Sequence, residues 1–160
     1  LPNVITYPLF VFAILVRLIY PLVFGTEYFS DMSYFPATMM GGSPAWLVSL
    51  ACALVGALAG GGSLWFVGEL WKRFRGVEAM GLGDVKMMLG VGALLGWRLT
   101  LLSIFLGAFS GAVIGIIVIL RQKDKDMQAQ IPFGIFLGTG SLLALLFGER
   151  LVAWYAGQFL

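Results

Sequence analysis

The sequence has no histidine, one cysteine and few charges: only 11% of its 160 residues are Asp, Glu, Lys or Arg. Without histidine, a Ser-His or Cys-His nucleophile pair, a His-ligated haem and a His-based metal site are all excluded within this chain. The lone Cys52 sits among Ala, Leu and Val. It can form neither an internal disulfide nor a thiolate zinc site, and its expected role is packing. Ten Lys and Arg against eight Asp and Glu leave a net charge of +2. That is too few cations for an affinity built from many phosphate contacts, so a nucleic-acid binder is set aside.

What the chain does have is apolar surface: 60% of its residues are hydrophobic and the mean hydropathy is +0.96, the composition of a membrane protein. A hydrocarbon core about 30 Å thick takes roughly 20 apolar helical residues to cross. On that ruler the chain divides into about five hydrophobic segments, near 4–24, 45–70, 85–97, 99–120 and 131–148, the third of them short. The expected fold is all-α, a polytopic transmembrane helical bundle forming one membrane-embedded domain over residues 1–160. The chain opens at Leu1-Pro2-Asn3 without an initiator methionine or a basic segment. No signal peptide is expected there, and the chain reads as part of something longer.

Arg17 interrupts the first segment, and a guanidinium in hydrocarbon costs roughly 3 kcal/mol on insertion scales, so snorkelling to the far interface is expected. The connector 25–44 holds Glu27 and Asp31 but no Lys or Arg. Its pairs Tyr28-Phe29 and Tyr34-Phe35 suit a segment lying along the headgroups. Placing Lys72, Arg73, Arg75, Lys86, Arg121, Lys123 and Lys125 on the cytoplasmic side leaves Arg98 and Arg150 opposite, as the positive-inside rule requires. The tail 151–160 is expected to be interfacial. Glycines recur four apart at Gly56 and Gly60, at Gly107, Gly111 and Gly115, and at Gly134 and Gly138. Such faces allow close helix packing in lipid.

Most carboxylates have an ordinary setting. Glu27 and Asp31 lie in the outer connector, Asp124 and Asp126 alternate with lysines in a loop, and Glu69, Glu78 and Glu149 flank membrane ends. Asp84, in Gly81-Leu82-Gly83-Asp84-Val85-Lys86, stands at the mouth of an apolar segment, and an ionisable residue at membrane depth is a functional candidate. Gly81 and Gly83 would permit positive φ and the approach of an extended chain. Hydrolysing a peptide without metal, histidine or an activated serine calls for an aspartate pair, one member taking a proton from water while the other, protonated, hydrogen-bonds the carbonyl. The chain offers no second membrane-level aspartate. Two plainer readings stay open: Asp84 as a helix N-cap or an interfacial partner of Lys86, and Lys86 as the base of a Ser-Lys dyad with Ser63 or Ser110.

The stretch Glu78-Ala79-Met80-Gly81-Leu82-Gly83-Asp84-Val85-Lys86 resembles the aspartate signature of the bacterial type IV prepilin peptidases, intramembrane aspartic proteases of the GxGD type. The GxGD element alone is shared with presenilin-like proteases. Three more landmarks appear in family order: Leu1-Pro2-Asn3 with Thr6 and Pro8, Leu94-Leu95-Gly96-Trp97, and Ile131-Pro132-Phe133-Gly134.

The resemblance implies a multi-pass protein of the bacterial inner membrane, in contact with the lipid bilayer. It also implies removal, at the cytoplasmic face, of the basic leader of type IV prepilins or type II secretion pseudopilins. It assigns Asp84 as the second catalytic aspartate, with Gly81 and Gly83 as the turn that presents it. Lys86 and Glu78 match motif positions, where Lys86 could tune the dyad or attract an acidic substrate residue and Glu78 could meet the basic leader. The family's first aspartate would precede Leu1. The peptidase step needs no cofactor. S-adenosylmethionine and zinc belong, in the family, to an upstream cysteine-bearing region that N-methylates the new N-terminus. The reading from another class is a non-enzymatic membrane component, a proton-pathway subunit or assembly scaffold, using Asp84 as its intramembrane carboxylate. Neither reading sets the oligomeric state.

Overall fold

Long apolar runs can satisfy their backbone in a bilayer only within helices or closed barrels, and every regular element among the described residues is helical. The computed structural model describes residues 3–24, 35, 37–76, 81–121 and 133–159. Helix α1 spans Asn3–Phe24, and a short 3-10 turn spans Ala37–Met40. Helix α2 (Ala45–Ala57) runs through a π-helical turn at Leu58–Gly62 into α3 (Ser63–Arg75), and α4 (Leu82–Arg121) and α5 (Phe133–Phe159) complete the chain. Glu27, Asp31, Tyr28, Phe29, Tyr34, Glu78, Lys123, Asp124, Lys125 and Asp126 lie outside the described residues.

Among the described residues four stretches are long and apolar enough to cross a membrane: Thr6–Val23, Ala45–Arg75, Leu82–Val118 and Phe133–Tyr155. The third would be about 55 Å long if straight, nearly twice the hydrocarbon thickness. It is not straight. Gly96 breaks α4 with φ 79° and ψ 168°, a backbone region open essentially to glycine alone. The two limbs, 82–95 and 97–121, fold against each other. They meet at Gly60, where a Cβ would touch both the Met88 carbonyl and, at 2.9 Å, Thr100 Cγ2. In one continuous helix those two residues would be about 18 Å apart. The five hydrophobic segments of the sequence are therefore α1, α2 with α3, the two limbs of α4, and α5.

The break leaves carbonyls without their helical partners, and side chains answer them. Arg17 is fully buried and its Nε donates to the carbonyl oxygens of Ala93 at 3.1 Å and Leu94 at 3.2 Å. Thr100 Oγ1 donates to the Gly96 carbonyl at 2.6 Å. The expected snorkelling of Arg17 is thus corrected. A cation that caps the C-terminal carbonyls of the first limb is more favourably placed there than in a long climb to the interface.

The limbs are held by small residues. Ala13, Ala53, Ala57 and Ala93 form one buried cluster joining α1, α2 and the first limb, while Leu64, Met88 and Leu137 form another that joins α3, the first limb and α5. Cys52 is fully buried among the packed residues, as its setting suggested. Of the expected glycine faces, Gly56, Gly60, Gly107 and Gly111 are packed, whereas Gly115 and Gly138 have open space beside them. Helix α5 also continues as one helix to Phe159 instead of ending near 148 with a separate interfacial tail.

Candidate active site

Asp84 is the third residue of α4, inside its first turn, and is half-buried. Its N–H donates to the Gly81 carbonyl at 3.0 Å, so Gly81 stands just outside the helix and Asp84 is not itself the N-cap. Among the described residues the glycines with positive φ are Gly42, Gly76 and Gly96. The freedom that the glycines permit is not used at Gly83, which is helical, and Asp84 is presented by the start of a helix. Acidic residues are favoured in a helix's first turn because its leading amides lack internal acceptors.

Helix α1 and the first limb of α4 run side by side in the same direction. The Lys86 ammonium lies 5.5 Å from the centroid of the Tyr7 ring, Gly90 faces Leu9 and Phe10, and Arg17 reaches Ala93 and Leu94. Because Tyr7 is level with Lys86, the start of α1 is level with the start of α4, within about one helical turn of Asp84 along the axis. The cation–π contact gives Lys86 a partner on α1 at the same end of the bundle.

Helix α5 also comes to this end. A Cβ placed on Gly134 would stand 2.6 Å from Asp84 Oδ1, so the first turn of α5 lies directly against the carboxylate. Farther along, Met88 packs with Leu137, and Ser141 Oγ lies 3.8 Å from Met88 Sδ. The sequence showed Gly134 only as part of a family landmark; nothing in its composition or spacing marked it as a neighbour of Asp84.

The other candidates are not gathered here. Ser63 Oγ donates to the Gly60 carbonyl and Ser110 Oγ to the Gly107 carbonyl, so each hydroxyl bonds its own helix and no Ser-Lys dyad with Lys86 is formed. Glu78 lies outside the described residues. Among the described residues no three of His, Cys, Asp and Glu come together to hold a metal ion, so the donors present do not fit a zinc site.

The bundle has two ends of different charge. Lys72, Arg73 and Arg75 close α3, which runs antiparallel to the first limb and beyond its start, and Lys86 lies in the opening turns of that limb, on the same side of the bend. At the other end are Arg98, next to the bend, and Arg150, two residues past the contact of Gly148 with Leu99. Trp97 Nε1 there donates to the Phe35 carbonyl of the connector at 2.9 Å. Asp84 is thus at the more basic end.

Comparison with known proteins agrees with these landmarks. Residues 1–116 match the model of the type IV leader peptidase family, a stretch that includes α1 through most of α4. The chain is similar to proteins named prepilin leader peptidase/N-methyltransferase. It is 38% identical over 113 residues to that of Aeromonas hydrophila, covering 71% of this chain and 39% of the relative. Over 107 residues it is 40% identical to that of Pseudomonas aeruginosa and 41% to that of Stutzerimonas stutzeri, covering in both cases 67% of this chain and 37% of the relative. The chain therefore spans well under half the length of these curated relatives. No solved structure gives a significant match. With four sequence landmarks in order, an aspartate at the start of a membrane helix and a family match over more than half its length, the chain belongs to the type IV leader peptidase family.

Proposed function

We propose that this chain forms part of an intramembrane aspartic endopeptidase of the bacterial inner membrane. It removes the basic leader from type IV prepilins or type II secretion pseudopilins at the cytoplasmic face. The observation that carries the reading is Asp84: a half-buried carboxylate at the start of a membrane helix, at the basic end of the bundle, beside the start of α1. The positive-inside rule makes that end cytoplasmic.

Asp84 is one member of an aspartate pair, and the other precedes Leu1 in the parent protein. The parallel course of α1 and the first limb supports this, since residues entering α1 do so at the level of Asp84. In such a pair the ionised carboxylate takes a proton from water as the oxygen attacks the scissile carbonyl, and the protonated partner hydrogen-bonds the carbonyl oxygen. Collapse of the tetrahedral intermediate passes a proton to the leaving amine. The substrate's hydrophobic helix stays in the bilayer while its basic leader lies on the cytoplasmic side, where the acidic Glu78 of the motif is assigned to meet it. Gly81 and Gly83 leave the approach to Asp84 clear of side chains, and Lys86, beside Tyr7, sets the local charge. N-methylation, named in the relatives, is assigned to the parent's upstream region, where S-adenosylmethionine and zinc would be held.

The test is Asp84→Asn in the full-length parent. Asn keeps the size but cannot exchange the shared proton, so leader removal is expected to fall by about 10²–10⁴-fold while the protein still inserts. Wild-type processing by this variant would show that Asp84 is not a member of the catalytic pair.

A further inference from the structure

Gly134 is the second residue of α5, and the place its side chain would occupy is taken by Asp84: a Cβ there would stand 2.6 Å from Oδ1 and 3.6 Å from Cγ. The approach is particular to this glycine. Gly138, four residues on, has nothing within 4 Å of its Cβ position, and neither does Gly157. Because Cβ atoms tilt toward a helix's N-terminus, the carboxylate lies beside the opening turn of α5, whose leading amides have no acceptor within the helix. Asp84 also lies in the opening turn of α4. Two helix starts therefore converge on one carboxylate.

The convergence is built into the packing. Leu137, less than one turn beyond Gly134, is fully buried with Met88 and Leu64, and Phe133 packs against the same cluster. Gly140 faces the Ser103 and Gly107 backbone, and Gly107 faces that of Phe136 and Leu137, where α5 crosses the second limb of α4. The first turn of α5 is thus held against the first limb by apolar contacts that do not involve Asp84, so a methyl at 134 is accommodated by turning the Asp84 carboxylate, the end of a flexible side chain, out of its place and not by moving α5.

We propose that Gly134 is a positioning residue for Asp84. Its missing side chain admits the carboxylate to the first turn of α5, and that turn fixes the direction in which the carboxylate faces the scissile bond. The proposal rests on the peptidase reading of Asp84 and adds to it an element, 133–159, that lies beyond the residues matched by the family model.

The experiment is a double-mutant cycle in the full-length parent, purified in detergent, with Gly134→Ala, Asp84→Ala and the double variant, and Gly138→Ala as the control on the same helix. Thermal unfolding reads the contact. Gly134→Ala is expected to lower Tm by about 1–2 °C more when Asp84 is present than in the Asp84→Ala background, since the carboxylate can turn aside. If Gly134→Ala fails to accumulate, the double variant should accumulate, because the obstructing carboxylate is gone. Cleavage of a prepilin peptide reads the positioning: Gly134→Ala should lower kcat by about 100-fold with KM within about threefold, and Gly138→Ala should leave both unchanged.

Equal destabilisation in both backgrounds, or failure of both the single and double variants to accumulate, overturns the contact. Coupling with wild-type kcat overturns the positioning role. Normal cleavage by Asp84→Asn with coupling intact overturns the peptidase reading and the positioning role together, whereas lost coupling with an inactive Asp84→Asn overturns only the role of Gly134.

Discussion

Two interfaces in this bundle use glycines at similar spacing and are built differently. Where α2 and the π-turn cross the first limb of α4, the contact is backbone to backbone. A Cβ on Gly56 would overlap the Gly92 carbonyl, one on Gly92 would overlap the Gly56 carbonyl, and one on Gly60 would overlap the Met88 carbonyl. Where the second limb of α4 meets α5, closeness of that kind is confined to Gly107 and Gly140; a Cβ on Gly111 would meet the Phe136 ring at 3.4 Å, an ordinary contact distance, and Gly115 and Gly138 border open space. A four-residue repeat marks one face of a helix, but helices touch closely only near their crossing point and diverge away from it. The first interface therefore fixes the limb that carries Asp84, and the second brings the start of α5 to it.

The sharpest way to break this contrast is Gly56→Ala. Its methyl has only backbone to displace, so a loss of more than about 3 kcal/mol is expected, read as poor accumulation and a lowered Tm in detergent. Stability close to wild type would show that α2 and the first limb do not pack at backbone distance. Next in size is Arg17→Met, which keeps much of the apolar stem but leaves the Ala93 and Leu94 carbonyls without the Nε donor. Burying those acceptors unpaired should cost about 1–3 kcal/mol and speed amide exchange around 93–98. Unchanged exchange there would argue against Arg17 as the cap of the first limb. The smallest effect has the opposite sign: Gly138→Ala adds a methyl in open space and reduces the freedom of the unfolded chain, so stability should rise by about 0.5–1 kcal/mol. A loss instead would place Gly138 in an interface.

Much of this was readable along the chain because membrane insertion is governed by local quantities. Run length and charge placement identified the apolar segments, the short third one included. Asp84 stood out because an ionisable residue at the mouth of an apolar run has no ordinary setting. The glycine faces of α2 and of the second limb were readable from spacing alone. What failed were statements that needed a partner. Arg17 was assigned to the interface because the carbonyls it serves lie 76 and 77 residues away. Gly81 and Gly83 were named as glycines that would permit positive φ, whereas the residue that needs it at the bend is Gly96, and nothing local distinguishes one glycine of a glycine-rich stretch from another.

Composition and hydropathy by themselves determined that the chain is a helical membrane bundle, and the ordered motifs determined its family and the aspartate on which its chemistry is proposed to turn. Both follow from the burial of backbone polar groups in lipid and from residue types at short spacing, which the chain carries within single segments. Tertiary structure alone decided that α4 doubles back at Gly96, that Arg17 caps the first limb, and that Gly134 meets Asp84. Each of these depends on which carbonyl or side chain arrives from a distant segment, and close packing in the bundle settles that only once all the helices are in place.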